Sequence, residues 1–93
     1  TSIENIWVEQ NDNRITLNSN MNKSRNDGIE NRIFEIWKIE PRIRLKYVDN
    51  IPSTANPHQA RVEGLEKGIF EFNFRCILNG GKEISKSTLF RIQ

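Results

Sequence analysis

Apolar residues recur at every second position from Ile69 to Leu78. Phe70, Phe72, Phe74, Cys76 and Leu78 fall on one face, and Glu71, Asn73 and Arg75 on the other, bracketed by Ile69 and Ile77. Side chains of a β-strand alternate between its faces, so this period predicts a strand with one face in a core. Asn79-Gly80-Gly81-Lys82 follows, a tract that tolerates positive φ and predicts a tight turn. Glu83 to Ile92 then returns as the partner strand, with Ile84, Phe90 and Ile92 inward. Upstream, Arg42 to Val48 alternates as well: Ile43, Leu45 and Tyr47 point one way, and Arg42, Arg44 and Lys46 the other. Ala60 to Leu65 predicts a short strand through Val62, and Gly64 and Gly68 mark a bend around Leu65. Pro52 and Pro57 among small polar residues predict a loop over Asp49 to Gln59.

The N-terminal half is less periodic. Ile3 to Gln10 reads as a strand, Asn11-Asp12-Asn13 as a turn, and Arg14 to Ser19 as a second strand through Ile15 and Leu17. Asn18 to Gly28 is almost wholly polar apart from Met21 and predicts a mobile loop. Residues 29–40 fit two elements. As a helix over about 29–39, Asp27 caps it, Glu30 completes a capping box, Ile29, Ile33, Ile36 and Trp37 line one face, and Pro41 ends it. As a strand, Ile33, Glu35, Trp37 and Ile39 share one face and Phe34, Ile36 and Lys38 the other, which suits a central strand buried on both sides. The β-branched and aromatic content favours the strand.

Composition narrows the fold class. The 93 residues make one domain, 1–93. Ile occurs thirteen times and Ala twice, which excludes a helical bundle or coiled coil. Twelve Asn, many of them between apolar runs, favour turns. No apolar run approaches the length of a membrane-spanning helix. The expected architecture is all-β, a sandwich of six or seven strands; the alternative is α+β, with the 29–39 helix packed on an antiparallel sheet. A net charge of +2 is mildly basic and does not by itself imply nucleic acid. One cysteine, Cys76, excludes an intrachain disulfide and leaves the redox compartment open. The chain opens at Thr1 rather than Met, which leads us to expect an excised domain or a processed product.

The run from Ala60 through Leu65, Gly68 and Phe70 to Phe74 resembles the E–F corner of immunoglobulin-like sandwiches. In fibronectin type III and related domains a Leu, a turn Gly and an aromatic lead into an alternating strand. Asn79 to Lys82 is similar to their F–G turn, and Leu89 to Ile92 to their last strand. Within that group, residues 42–92 most resemble the three-Y (Y_Y_Y) domain of hybrid two-component sensors: Arg44-Leu45-Lys46-Tyr47-Val48 is the basic-aromatic strand and Leu65-Glu66-Lys67-Gly68-Ile69-Phe70 the corner. Phe70 stands where that family has Tyr, so the tyrosine-corner hydrogen bond cannot form. The resemblance implies an immunoglobulin-like β-sandwich acting as a spacer and signal relay in a periplasmic or extracellular sensor.

Candidate chemistry is sparse. Arg42, Arg44 and Lys46 read as an anion-binding ridge, since alternate strand residues about 6.5 Å apart track an extended polyanion. The reading we favour for them is a solvated or edge-protecting face, paired with Glu35 or Glu71 across the sheet. Trp7 and Trp37 are candidate stacking platforms or core plugs. His58, alone in a predicted loop, is weak evidence for a metal or a general base. Cys76, on the Phe face, reads as a small buried hydrophobe. Asp12 and Asp27 lie in Asn-rich turns without the acid density of a calcium loop. No catalytic motif, metal site or cofactor is predicted, so the chain is not expected to be an enzyme. The expected function is a non-catalytic binding or signal-relay module of a periplasmic or extracellular sensor or surface protein. It makes protein or carbohydrate contacts, through Arg42, Arg44, Lys46 and Trp7 if through any of these candidates. The alternative is a small cytoplasmic nucleic-acid-binding or phage-type accessory protein using the same basic face.

Overall fold

The computed structural model describes residues 2–12, 14–22, 28–48 and 58–93, with 46–48 and 58 followed through their backbone alone. Seven strands run in chain order: β1 (Ser2–Asn11), β2 (Arg14–Asn22), β3 (Ile29–Lys38), β4 (Ile43–Val48), β5 (His58–Glu63), β6 (Gly68–Leu78) and β7 (Glu83–Ile92). They form two antiparallel sheets, ordered β1-β2-β5 and β4-β3-β6-β7. One core lies between them, so the chain is all-β with the layering of a sandwich. Among the described residues there is no helix, and hence none long and apolar enough to cross a membrane.

The Phe face of β6 makes half of that core. Phe70, Phe72, Phe74, Cys76 and Leu78 are buried, facing Ile15, Leu17 and Met21 of β2, Val62 of β5, and Phe34 and Ile36 of β3. Phe34 meets Phe72 and Phe74 edge to face, with centroids 5.2 and 5.1 Å apart. That geometry suits the ring quadrupoles. Phe70 instead stacks on Phe90, centroids 5.6 Å apart. The turn after β6 needs its glycines: Gly80 and Gly81 have φ of +91° and +87°, which side chains rarely adopt.

Residues 29–38 are strand, not helix. β3 is an inner strand of the larger sheet, laddered to β4 on one side and β6 on the other. Arg32 through Ile36 are all buried. Five successive buried residues suit a strand covered on both faces, whereas an amphipathic helix buries only a stripe.

Three boundaries depart from the sequence reading. The polar stretch expected to be a loop from Asn18 is strand as far as Asn22, and Asn18, Ser19 and Met21 are buried there. Asn18 is satisfied in place: its Nδ2 donates to the Thr16 carbonyl at 3.1 Å, and its Oδ1 accepts from Gln59 Nε2 at 2.8 Å. The strand expected from Ala60 begins at His58, because His58 and Gln59 pair with Ser19 and Asn18. It ends at Glu63, before Leu65. The rest of the expected 49–59 loop, and the cap and calcium candidate Asp27, lie outside the described residues.

Candidate functional site

The larger sheet turns a charged face outward. Glu35, on β3, is buried in that face at 3% exposure. Its Oε2 accepts from Arg44 Nη1 at 3.2 Å, and its Oε1 lies 3.7 Å from Arg75 Nη1. Arg75 also donates through Nε and Nη2 to Glu83 Oε1, at 2.9 and 2.6 Å. A chain of alternating charge therefore crosses β4, β3, β6 and β7. One step along, Arg42 lies over the Trp37 ring, 4.6 Å from its centroid, and donates to Glu71. Stacking on the indole and pairing with the carboxylate hold the same guanidinium.

Of the expected ridge of Arg42, Arg44 and Lys46, the side chains of Arg42 and Arg44 are described. Arg42 lies in the turn before β4, which starts at Ile43. Within β4 the register shifts: Arg44 stands opposite Trp37 but Lys46 stands opposite Ile36, leaving Leu45 as an extra residue. A bulge of this kind resets the alternation between faces. Tyr47 thereby comes opposite Glu35. Arg42 and Arg44 do share the outer face, each with a carboxylate, and these are Glu71 and Glu35.

Trp7 is elsewhere. It stands opposite Asn18 on the outer face of the smaller sheet, half-buried, with its ring N–H on Glu9 Oε1 at 3.0 Å. The structure does not bring it near the arginines. Trp37 is likewise half-buried on an outer face rather than in the core.

Cys76 is buried, as its place on the Phe face predicts, and stands opposite the buried Arg32. Burial pushes its thiol pKa up, against the pull of the Arg32 guanidinium, which burial pushes down in turn. The thiol is thus neutral and shielded, unlike a nucleophile. Among the described residues no three His, Cys, Asp or Glu side chains gather as metal ligands do.

The concave site is at one end of the sandwich and was not expected. A groove of about 730 Å³ is lined by Ile39, Leu45, Leu65, Ile69 and Phe70, with Lys38, Glu40, Glu66 and Lys67 among its charged residues. Three segments build it: the turn from β3 into β4, β4 itself, and the bend from β5 into β6. Among the described residues five large apolar side chains are exposed: Ile39, Ile43, Leu45, Ile69 and Leu89. Three of them line the groove, and Ile43 stands opposite its Lys38. Ile69 was legible as the apolar residue on the wrong face of the strongest strand, and Leu65 as the apolar residue between two bend glycines. Compared with family models, curated proteins and solved structures, the chain matches none.

Proposed function

We infer that the chain is a non-catalytic binding module with an immunoglobulin-like sandwich, and that it holds an apolar segment of a protein partner in the end groove. The observation that carries this is the clustering of Ile39, Leu45 and Ile69, three of the five exposed large apolar side chains among the described residues, around one concavity. Apolar surface gathered in this way marks contact sites, whereas singly scattered residues do not. The apolar part of the lining is aliphatic but for one ring, Phe70, which is buried, and this favours apolar side chains over sugars as the occupant. Strand order supports the immunoglobulin-like reading: with β6 and β7 as strands F and G, the sheets become A-B-E and C′-C-F-G. The likeness to three-Y domains supplies a setting, a relay within a periplasmic or extracellular sensor.

The test is amide chemical-shift mapping with indole as an apolar probe. Shifts should centre on Ile39, Leu45, Leu65 and Ile69, and Leu45→Asp should abolish them. Shifts scattered over the surface, or undiminished in the variant, overturn the groove.

The nucleic-acid reading keeps one line of support, the cations on the outer face of the larger sheet. Arg42 and Arg44 are each held by a carboxylate, so phosphate must displace Glu71 and Glu35 to reach them. A thymidine dodecamer binding with a steep loss between about 50 and 200 mM salt would favour this reading over the groove.

A further inference from the structure

Two sheets have four edge strands, and three of them are blunted. β4 has six residues, bears Arg44 and Lys46, and contains the bulge at Leu45. β5 has six residues and bears Arg61 and Glu63. β1 has an irregular register between Ile3 and Asn5. Short length, charge and bulges are the usual devices against edge-to-edge pairing.

β7 has none of these apart from scattered charge. Its ten residues ladder with β6 without a register shift, and they include neither Pro nor Gly. β1 lies against it from the other layer, where Lys86 Nζ donates to the Glu4 carbonyl, but the two strands form no ladder. Among the described residues no backbone hydrogen bond reaches β7 from outside its own sheet. Its outward backbone groups therefore have no ladder partner among the described residues, and an unladdered edge can template a further strand. Leu89, on the outer face of this strand, is the most exposed large apolar side chain among the described residues, at 66%.

We propose that β7 is a self-association edge, and that two copies of this chain pair through it antiparallel about a two-fold axis at Ser87. The strand is complementary to itself in that register. Ser87 meets Ser87, Ser85 meets Leu89, and Glu83 meets Arg91 on the outer face; Ile84 meets Phe90 and Lys86 meets Thr88 on the inner. Opposite charges thus meet at both ends, and two of the three core-facing apolar residues, Ile84 and Phe90, meet each other. Both hydrogen bonds from Arg75 to Glu83 end on Oε1. Arg91 has no ion pair among the described residues. Slipping by two residues in one direction sets Lys86 against Lys86, and in the other sets Glu83 against Gln93 and loses both pairs. A slip of one turns core-facing residues outward. The result is a continuous eight-stranded sheet across an isologous interface. It leaves the end groove open, so it does not depend on the function proposed above.

Sedimentation equilibrium up to about 1 mM chain tests the association. Cysteine cross-linking tests the register. Paired Cα atoms in an antiparallel ladder lie about 4.5–5.5 Å apart, within disulfide range. Ser87→Cys should therefore give a covalent dimer on mild oxidation, and Ser85→Cys, which faces Leu89, should not. Arg91→Glu should weaken the dimer at least about tenfold, and adding Glu83→Arg should restore it. A wild-type monomer over the whole range overturns the proposal. So does cross-linking of Ser85→Cys as fast as Ser87→Cys, or a charge-swapped double variant no stronger than its parent.

Discussion

Replacing Glu35 with Gln tests whether the outer charge chain stabilises the fold or merely decorates it. The carboxylate is 3% exposed, so in the native state it is kept from water and depends on its arginines. One partner, Arg44, is at hydrogen-bond distance, 3.2 Å; the other, Arg75, is at 3.7 Å and contributes by charge alone. A hydrogen bond to a charged group contributes about 1.5–3 kcal/mol. Breaking a fully buried pair costs about 3–5 kcal/mol, because a bare charge is left inside. Here the arginines are 47% and 32% exposed and Arg75 keeps its bonds to Glu83, so no bare charge is left buried, which sets the lower figure. The expected loss is about 2 kcal/mol, which in a domain of this size is roughly 8–16 °C in Tm. Glu63→Gln is the control: its ion pair with Arg14 joins side chains 66% and 68% exposed, so the change should stay under about 0.5 kcal/mol. Urea titration at unchanged m reads both. Equal losses in the two variants, or a Glu35→Gln loss under about 0.5 kcal/mol, would refute the assignment of stability to burial of this pair.

Other perturbations separate the remaining terms. Phe34→Ala removes the ring that meets both Phe72 and Phe74 and should cost about 3–5 kcal/mol in urea denaturation. Asn18→Ala deletes a buried amide with partners on both of its ends and should cost about 1–3 kcal/mol; a neutral result would show that Thr16 and Gln59 re-pair without it. Gly80→Ala meets no steric neighbour, so any loss comes from its φ of +91° alone, about 1–2 kcal/mol by thermal melting. Cys76 has a folded pKa above its unfolded value, so the native state holds its proton longer. Stability from this group is full below about pH 8.5 and declines as pH rises through the folded pKa. Denaturation at pH 7 and pH 10 should show that decline, and Cys76→Ala should lack it.

What the sequence disclosed follows from which residues carry their own reference. β6 has water-facing polar residues between its phenylalanines, so its inner face can be named without knowing its partner. β3 has no such contrast. Its outer face is covered by side chains from β4 and β6, so Ile33 and Glu35 are as buried as Phe34 and Ile36, and the period of two is hidden. Only the ladders on both sides decide that it is strand. Asn18 was misread for a related reason. In isolation an Asn-rich stretch signals a turn, but Gln59 satisfies this amide from 41 residues away, and that partner appears only after β2 and β5 have paired.

The basic residues teach a further point about alternation. Arg42, Arg44 and Lys46 are spaced by two, and spacing by two places residues on one face only while the ladder is regular. The inserted Leu45 ends that condition in the middle of the set. Their charge is also not free charge. Glu35 and Glu71 lie on other strands and neutralise two of the three at short range. Sequence spacing can therefore nominate a polyanion site, but whether the cations stay available depends on what the neighbouring strands place opposite them. The same bulge sets Leu45 in the groove wall, beside the turn that brings Ile39 and the bend that brings Leu65 and Ile69. One inserted residue thus interrupts the spacing on which the nominated site was read and lines the groove that spacing could not show.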